Sequence, residues 1–326
     1  MSSFKYDNVY LKDYETIAGP EEEKGNITYQ NTISDYYFGE EKIEDAEIKM
    51  QNICLTNIIK RNKLTNKIDL LVGGDLLNQI AITSYNIVNR NIPFLGLYNA
   101  CATFNESLIV LANMIDKDLI KNGLAITSSH SLNAERQYRF PVEYGSPKKS
   151  YTTVTSTGAA CCLLSKEPSK IKIESSTVGT IVDYGIKDVS NMGAVMAPSA
   201  AVTLNKHLKE LKRDINYYDL IVTGDLGKYG SNLFLKLIEE DYKYIPNNYF
   251  DSSSIMYKEN QNMYQGGSGP VVVPLVLFNK IIKDKQYKKI LILATGALHS
   301  PLMVNLKKSI PSITHAVSIE VSSWYI

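Results

Sequence analysis

Short apolar runs stopped by Gly-Asp recur along the chain, and two of them are nearly the same phrase. Ile68-Asp-Leu-Leu-Val-Gly-Gly-Asp-Leu76 and Tyr218-Asp-Leu-Ile-Val-Thr-Gly-Asp-Leu226 stand about 150 residues apart. Each predicts a strand covered on both faces, as in a parallel sheet, running into a turn. A second pair follows in the same order: Gly123-Leu-Ala-Ile-Thr-Ser-Ser-His-Ser131 and Ile290-Leu-Ile-Leu-Ala-Thr-Gly-Ala-Leu-His-Ser300. Two phrases repeated in register imply an internal duplication. Helical periodicity separates them: Glu106 to Lys121 carries a wide apolar stripe, Ser231 to Glu240 is amphipathic, and Val271 to Lys283 begins almost wholly apolar. Each half therefore reads strand, helix, strand, helix, strand, with closing strands over Thr152 to Leu164 and Thr314 to Ser322. The expected division is an N-terminal half over residues 1–165, opening on an irregular leader of about 50 residues, and a C-terminal half over 166–326.

Composition narrows the chemistry. The 326 residues are 44% hydrophobic, with 35 Lys+Arg against 34 Asp+Glu, which excludes disorder as the main story and gives no overall basic field for nucleic acid. A local basic pocket stays open. The N-terminal stretch lacks the apolar run of a secretory signal, and no window reaches the roughly 18 apolar residues of a membrane helix. Cys54, Cys101, Cys161 and Cys162 have neither metal spacing nor a disulfide framework, so reduced thiols are expected. No Walker loop, dinucleotide fingerprint or metal-spaced histidine pair occurs, so no cofactor is expected.

Cys101 falls where an extended stretch turns into the Glu106 helix. A helix N-terminus there would lower its pKa, making it a nucleophile, a ligand contact or a small residue at a tight turn. A nucleophile needs a base. Of the four histidines, His207 lies in a polar stretch and is expected in solvent, while His315 is expected to be structural. His130 and His299 both follow buried strands, where ligand sites of parallel sheets collect. His130 precedes the polar run Asn133-Ala-Glu-Arg-Gln-Tyr-Arg-Phe-Pro-Val-Glu-Tyr-Gly145, in which Arg136 and Arg139 either pair with Glu135 and Glu143 or grip a carboxylate. Gln265-Gly-Gly-Ser-Gly-Pro270 offers backbone N–H groups before the third helix.

Together these features resemble the thiolase superfamily, and within it the sporulation branch of spore-forming Firmicutes. The phrases Leu97-Tyr-Asn-Ala-Cys-Ala-Thr103, Glu135-Arg-Gln-Tyr-Arg-Phe-Pro141, Asp183-Tyr-Gly-Ile-Lys-Asp188 and Gly266-Gly-Ser-Gly269 carry the resemblance. It implies an α/β fold of two duplicated halves, each with a mainly parallel sheet, in a five-layered α-β-α-β-α stack. The superfamily's enzymes pair the nucleophilic cysteine with a loop histidine, and thiolases add a late cysteine. Here Asn262 to Gly269 holds no His, and Thr295 to Ser300 no Cys. The resemblance therefore implies a non-catalytic binder of dipicolinic acid, free or as its calcium chelate, acting in uptake into the forespore and in germination. Cys101 would form the pocket wall, His130 and Arg136 would approach the carboxylates, and Ser129, Gly267 and Ser268 would complete the site. Implied partners are the small membrane proteins of the same sporulation operon, of the AC and AE type, holding the chain at the inner membrane, and a second copy as a homodimer. Two alternatives remain: an acyl-transferring enzyme using Cys101 with His130 or His299, and a structural adaptor for membrane proteins.

Overall fold

The computed structural model describes residues 2–138 and 148–322. Its first half runs β1 (Ser3–Lys5), β2 (Tyr10–Ala18), α1 (Pro20–Glu23), α2 (Ile43–Arg61), β3 (Leu70–Gly74), α3 (Ala81–Ile87), β4 (Phe94–Gly96), α4 (Thr103–Asp116), β5 (Asn122–Ser129), α5 (Ser131–Tyr138), β6 (Val154–Thr155) and β7 (Gly158–Ser165). The second runs β8 (Ile171–Thr177), α6 (Met192–Leu211), β9 (Leu220–Thr223), α7 (Gly227–Tyr242), β10 (Tyr249–Asp251), β11 (Gly267–Ser268), α8 (Val272–Val276), β12 (Lys289–Ala297), α9 (Pro301–Asn305) and β13 (Ser312–Val321).

The strand order displays the duplication. The first half is arranged β4-β3-β5-β7-β2 and the second β10-β9-β12-β13-β8. In both, the strand of the repeated Gly-Asp phrase lies between two parallel partners, and the penultimate strand runs against its neighbours. Four strands of each five thus point the same way. The halves meet where β2 pairs with β8 at Tyr10↔Lys172 and Leu11↔Ile171. Between the two sheet sections lie α4, α8 and the turn that continues α8, whose Phe104, Leu108, Leu111, Val272, Leu275 and Phe278 are fully buried. Each such side chain removed from water stabilises the fold by roughly 1.5–3 kcal/mol. The outer layers are α2 on one side, packed through Met50, Leu55 and Ile58, and α6 with α7 on the other, packed through Leu204, Leu208, Phe234 and Ile238.

The leader is not irregular as expected. β2 pairs with β7 along its length, and the 19-residue α2 begins at Ile43. Lys12, Asp13 and Glu15 hide the strand's signal, but Arg61 of α2 reaches back to both carboxylates, donating to Asp13 at 2.8 and 2.9 Å and to Glu15 at 2.7 Å. A buried carboxylate is tolerated there because it is paired and hydrogen-bonded. His207 also departs from expectation. Its polar neighbours suggest solvent, yet it shares a helical face with Leu204, Leu208 and Leu211 and is fully buried. Its ring joins the Thr177 hydroxyl at 2.7 Å and the Tyr218 hydroxyl at 2.6 Å, and burial, with Arg213 nearby, pushes its pKa down to about 3.

Candidate functional site

The turn between β4 and α4 carries Cys101. Ala100, just before it, sits in the left-handed region at φ 49°, a conformation costing roughly 1–2 kcal/mol in a residue with a Cβ. Thr103 secures the turn by donating its hydroxyl to the Ala100 carbonyl at 2.8 Å, and the Ala102 N–H donates to the Asn99 carbonyl at 3.1 Å. On the other side is Gly296 of β12. A Cβ there would stand 2.9 Å from the Asn99 oxygen, so the glycine lets the second half's strand close on the first half's turn.

Facing the thiol is Asp225, the aspartate of the second Gly-Asp phrase and one of the most buried carboxyls in the chain. It accepts from the Ser268 hydroxyl at 3.1 Å, the Gly269 N–H at 3.1 Å and the Thr295 hydroxyl at 2.8 Å, and it contacts Cys101. The Cys101 sulfur is 3.9 Å from the Ser268 hydroxyl oxygen. Burial raises the Asp225 carboxyl above its ordinary range against the pull of these donors. Burial foremost, and then the Asp225 charge, push the Cys101 thiol well above its ordinary value. The helix-terminal lowering expected for this thiol is therefore outweighed, and it stays protonated.

Cys101 opens onto a small cavity of about 70 Å³. Its other walls include Tyr138, Thr155, Ser268 and His299, with Met192 and Met196 one helical turn apart on α6. The His299 ring stacks at a tilt on Tyr138, centroids 5.1 Å apart. Tyr138 donates its hydroxyl to the Leu76 carbonyl at 2.7 Å.

Of the residues expected to form a site, the structure brings together Cys101, Ser268 and His299. Gly267 sits behind them, its strand β11 paired with β6. Ser129 is buried and donates to the Ser156 carbonyl at 2.7 Å, abutting Gly269. His130 does not line the cavity. Its Nε2 meets the Tyr36 carbonyl at 2.8 Å, its ring lies edge-on to Tyr36, and burial lowers its pKa. Nor does Arg136, which pairs with Glu44 at 2.5 Å with half its side chain exposed. Arg139 and Glu143 lie outside the described residues. His315 is buried behind the Cys101 turn, accepting from the Gly179 N–H at 3.2 Å with the Asn99 carboxamide 2.9 Å from Nε2. Burial holds its pKa near 4. Among the described residues, no cluster of three or more His, Cys, Asp or Glu side chains could hold a metal ion, and no helix is long and apolar enough to cross a membrane.

Comparison with known proteins settles the lineage. The family model for stage V sporulation protein AD matches residues 3–320. The chain belongs to the stage V sporulation protein AD family. It is 36% identical to stage V sporulation protein AD of Bacillus subtilis (strain 168) over 318 residues, covering 96% of this chain and 94% of that one. Solved structures show the fold it shares with thiolase-like enzymes. A 3-oxoacyl-[acyl-carrier-protein] synthase III from Aquifex aeolicus covers 96% of this chain and 97% of its own at a TM-score of 0.56 and 13% identity. OleA of Xanthomonas campestris covers 97% of this chain and 99% of its own at a TM-score of 0.61 and 13% identity.

In this member of the stage V sporulation protein AD family, the sequence reading missed Asp225, Thr155, Tyr138 and the two methionines as site residues. The Gly-Asp repeat marked Asp225, but as a turn. The methionines stand in the Asp183 to Pro198 stretch, where their spacing of four places both on one helical face.

Proposed function

We propose that the chain binds dipicolinic acid in the cavity beside Cys101 without turning it over, in the service of dipicolinate uptake during sporulation. The observation that carries this reading is the buried Asp225 carboxyl in contact with Cys101, which raises the thiol's pKa instead of lowering it. A thiol held protonated by burial and by Asp225 is a poor nucleophile, since the thiolate is the attacking species. The same groups suit recognition. The Thr155 hydroxyl and the imidazole of His299 are donors for carboxylates and Ser268 walls the same side, while Tyr138, Ala100 and the methionines offer flat and apolar surface to a planar ring.

At about 70 Å³ the cavity is smaller than the roughly 300 Å³ at which pockets for such ligands begin, so binding requires its walls to yield. Met192 and Met196 are suited to that, as unbranched side chains that repack at low cost. Calorimetric titration with dipicolinate, with and without calcium, tests the reading in wild type, Cys101→Ala, Ser268→Ala and His299→Ala. Saturable binding weakened at least tenfold in His299→Ala and Ser268→Ala is expected. Equal affinity in all four proteins would place the ligand elsewhere, and no binding in either condition would favour a structural adaptor.

A further inference from the structure

We propose that a second site, a lysine-rimmed groove at the seam of the two halves, docks an acidic segment of another protein that carries apolar side chains. The groove encloses about 970 Å³ and shares no residue with the cavity at Cys101. Its rim holds Lys12 from β2, Lys170 from the turn before β8, and Lys283, Lys285 and Lys288 from the turn before β12, all exposed. No Asp or Glu lines it. Lys12 pairs with Glu167 outside the groove, and among the described residues the other four lysines have no ion-pair partner.

This concentration of charge stands out against a chain whose net charge is only +1, because the four lysines without an ion-pair partner leave the remainder of the chain net acidic. An acidic partner is therefore drawn to this groove by a local excess of positive charge, which favours where it lands. The floor supplies what charge alone does not. Tyr14, stacked on Phe278 at 4.4 Å, lies half-buried with Ile282, Tyr287 and Val321. Just before Ile282 the helix widens into a π-helical turn, Leu277–Ile281, in which the Ile282 N–H donates to the Leu277 carbonyl at 3.0 Å. Such turns redirect the side chains that follow and recur at functional positions. A concave trough with an apolar floor fits an extended chain better than a flat bilayer surface, and lysines, as flexible point charges, suit carboxylates at variable spacing.

The test is fluorescence anisotropy with a short labelled peptide of repeating Glu-Glu-Leu-Tyr units, set against the same peptide with Gln for Glu and against phosphatidylglycerol vesicles. Wild type should bind the acidic peptide at least tenfold more tightly than the Gln peptide. Binding should fall at least tenfold in a Lys283→Glu, Lys285→Glu, Lys288→Glu triple variant and severalfold in Tyr287→Ala. A triple variant with the same charge change elsewhere, Lys60→Glu, Lys63→Glu, Lys67→Glu, should bind as wild type does. Equal weakening in both triple variants, or vesicle binding without peptide binding, would overturn the proposal.

Discussion

Asp75 and Asp225 end the same phrase in the two halves, yet they do different work. Asp75 serves its own turn, accepting from the Leu77 N–H at 2.9 Å, the Thr83 N–H at 2.9 Å and the Thr83 hydroxyl at 2.8 Å. Asp225 reaches away to the loop before α8, to β12 and to Cys101. In the second half its local duty passes to Asp251, which accepts from the Leu226 and Gly227 N–H groups at 3.0 and 3.1 Å. A duplicated strand and turn thus fix where a carboxyl stands, and what packs opposite decides its role.

Breaking each aspartate should separate the roles. Asp75→Ala strands three donors in a fully buried place and should cost about 3 kcal/mol in chemical denaturation, with no change in Cys101 reactivity. Asp225→Ala should cost less, about 2 kcal/mol, because the Ser268 and Thr295 hydroxyls can turn to new partners. It should also speed Cys101 alkylation at pH 8 severalfold, because losing the Asp225 charge lowers the thiol's pKa. Equal alkylation in the two variants would erase the distinction.

A third carboxyl, Glu22, sharpens the comparison from behind the site. It accepts from the Thr157 N–H at 3.1 Å and from Tyr257, whose hydroxyl also meets Ser156 at 2.8 Å, so it buttresses the β6–β11 pair that carries Thr155 and Ser268. Burial pushes its pKa from 4.5 up to about 7. A carboxyl whose folded pKa is raised favours folding while protonated, so its contribution is complete below about pH 4.5 and lost as pH rises through 7. Glu22→Gln should therefore gain on wild type by on the order of 2–3 kcal/mol between pH 5 and 8, read as the difference in unfolding free energy from denaturant titrations. A gap independent of pH would refute this assignment. The smallest effect is expected at Arg136→Ala, which removes only an exposed ion pair: less than about 1 kcal/mol, and unchanged dipicolinate affinity by calorimetry.

The repeated phrases and the helices between them were legible because buried strands and apolar stripes leave period and register in the sequence. β2 was not, since its charged residues are answered by Arg61, some 46 positions downstream from Glu15. Cys101 and Ser268 meet at one cavity, and each carries a local signature in the sequence, a turn and a glycine-rich loop. Arg136 and His130 lie away from that cavity, since polar density along a segment says nothing about where its side chains point. Asp225 shows the limit most clearly: its partners Ser268 and Thr295 are 43 and 70 residues away, and only tertiary packing makes them neighbours.

The central claim is that a neutral Cys101 forms part of a binding wall. Its most direct test is the rate at which iodoacetamide alkylates Cys101, resolved by peptide mass, with and without saturating dipicolinate. The account predicts slow alkylation, slowed at least severalfold further by dipicolinate, with no covalent adduct of the ligand on the sulfur. An alkylation rate untouched by dipicolinate would contradict it.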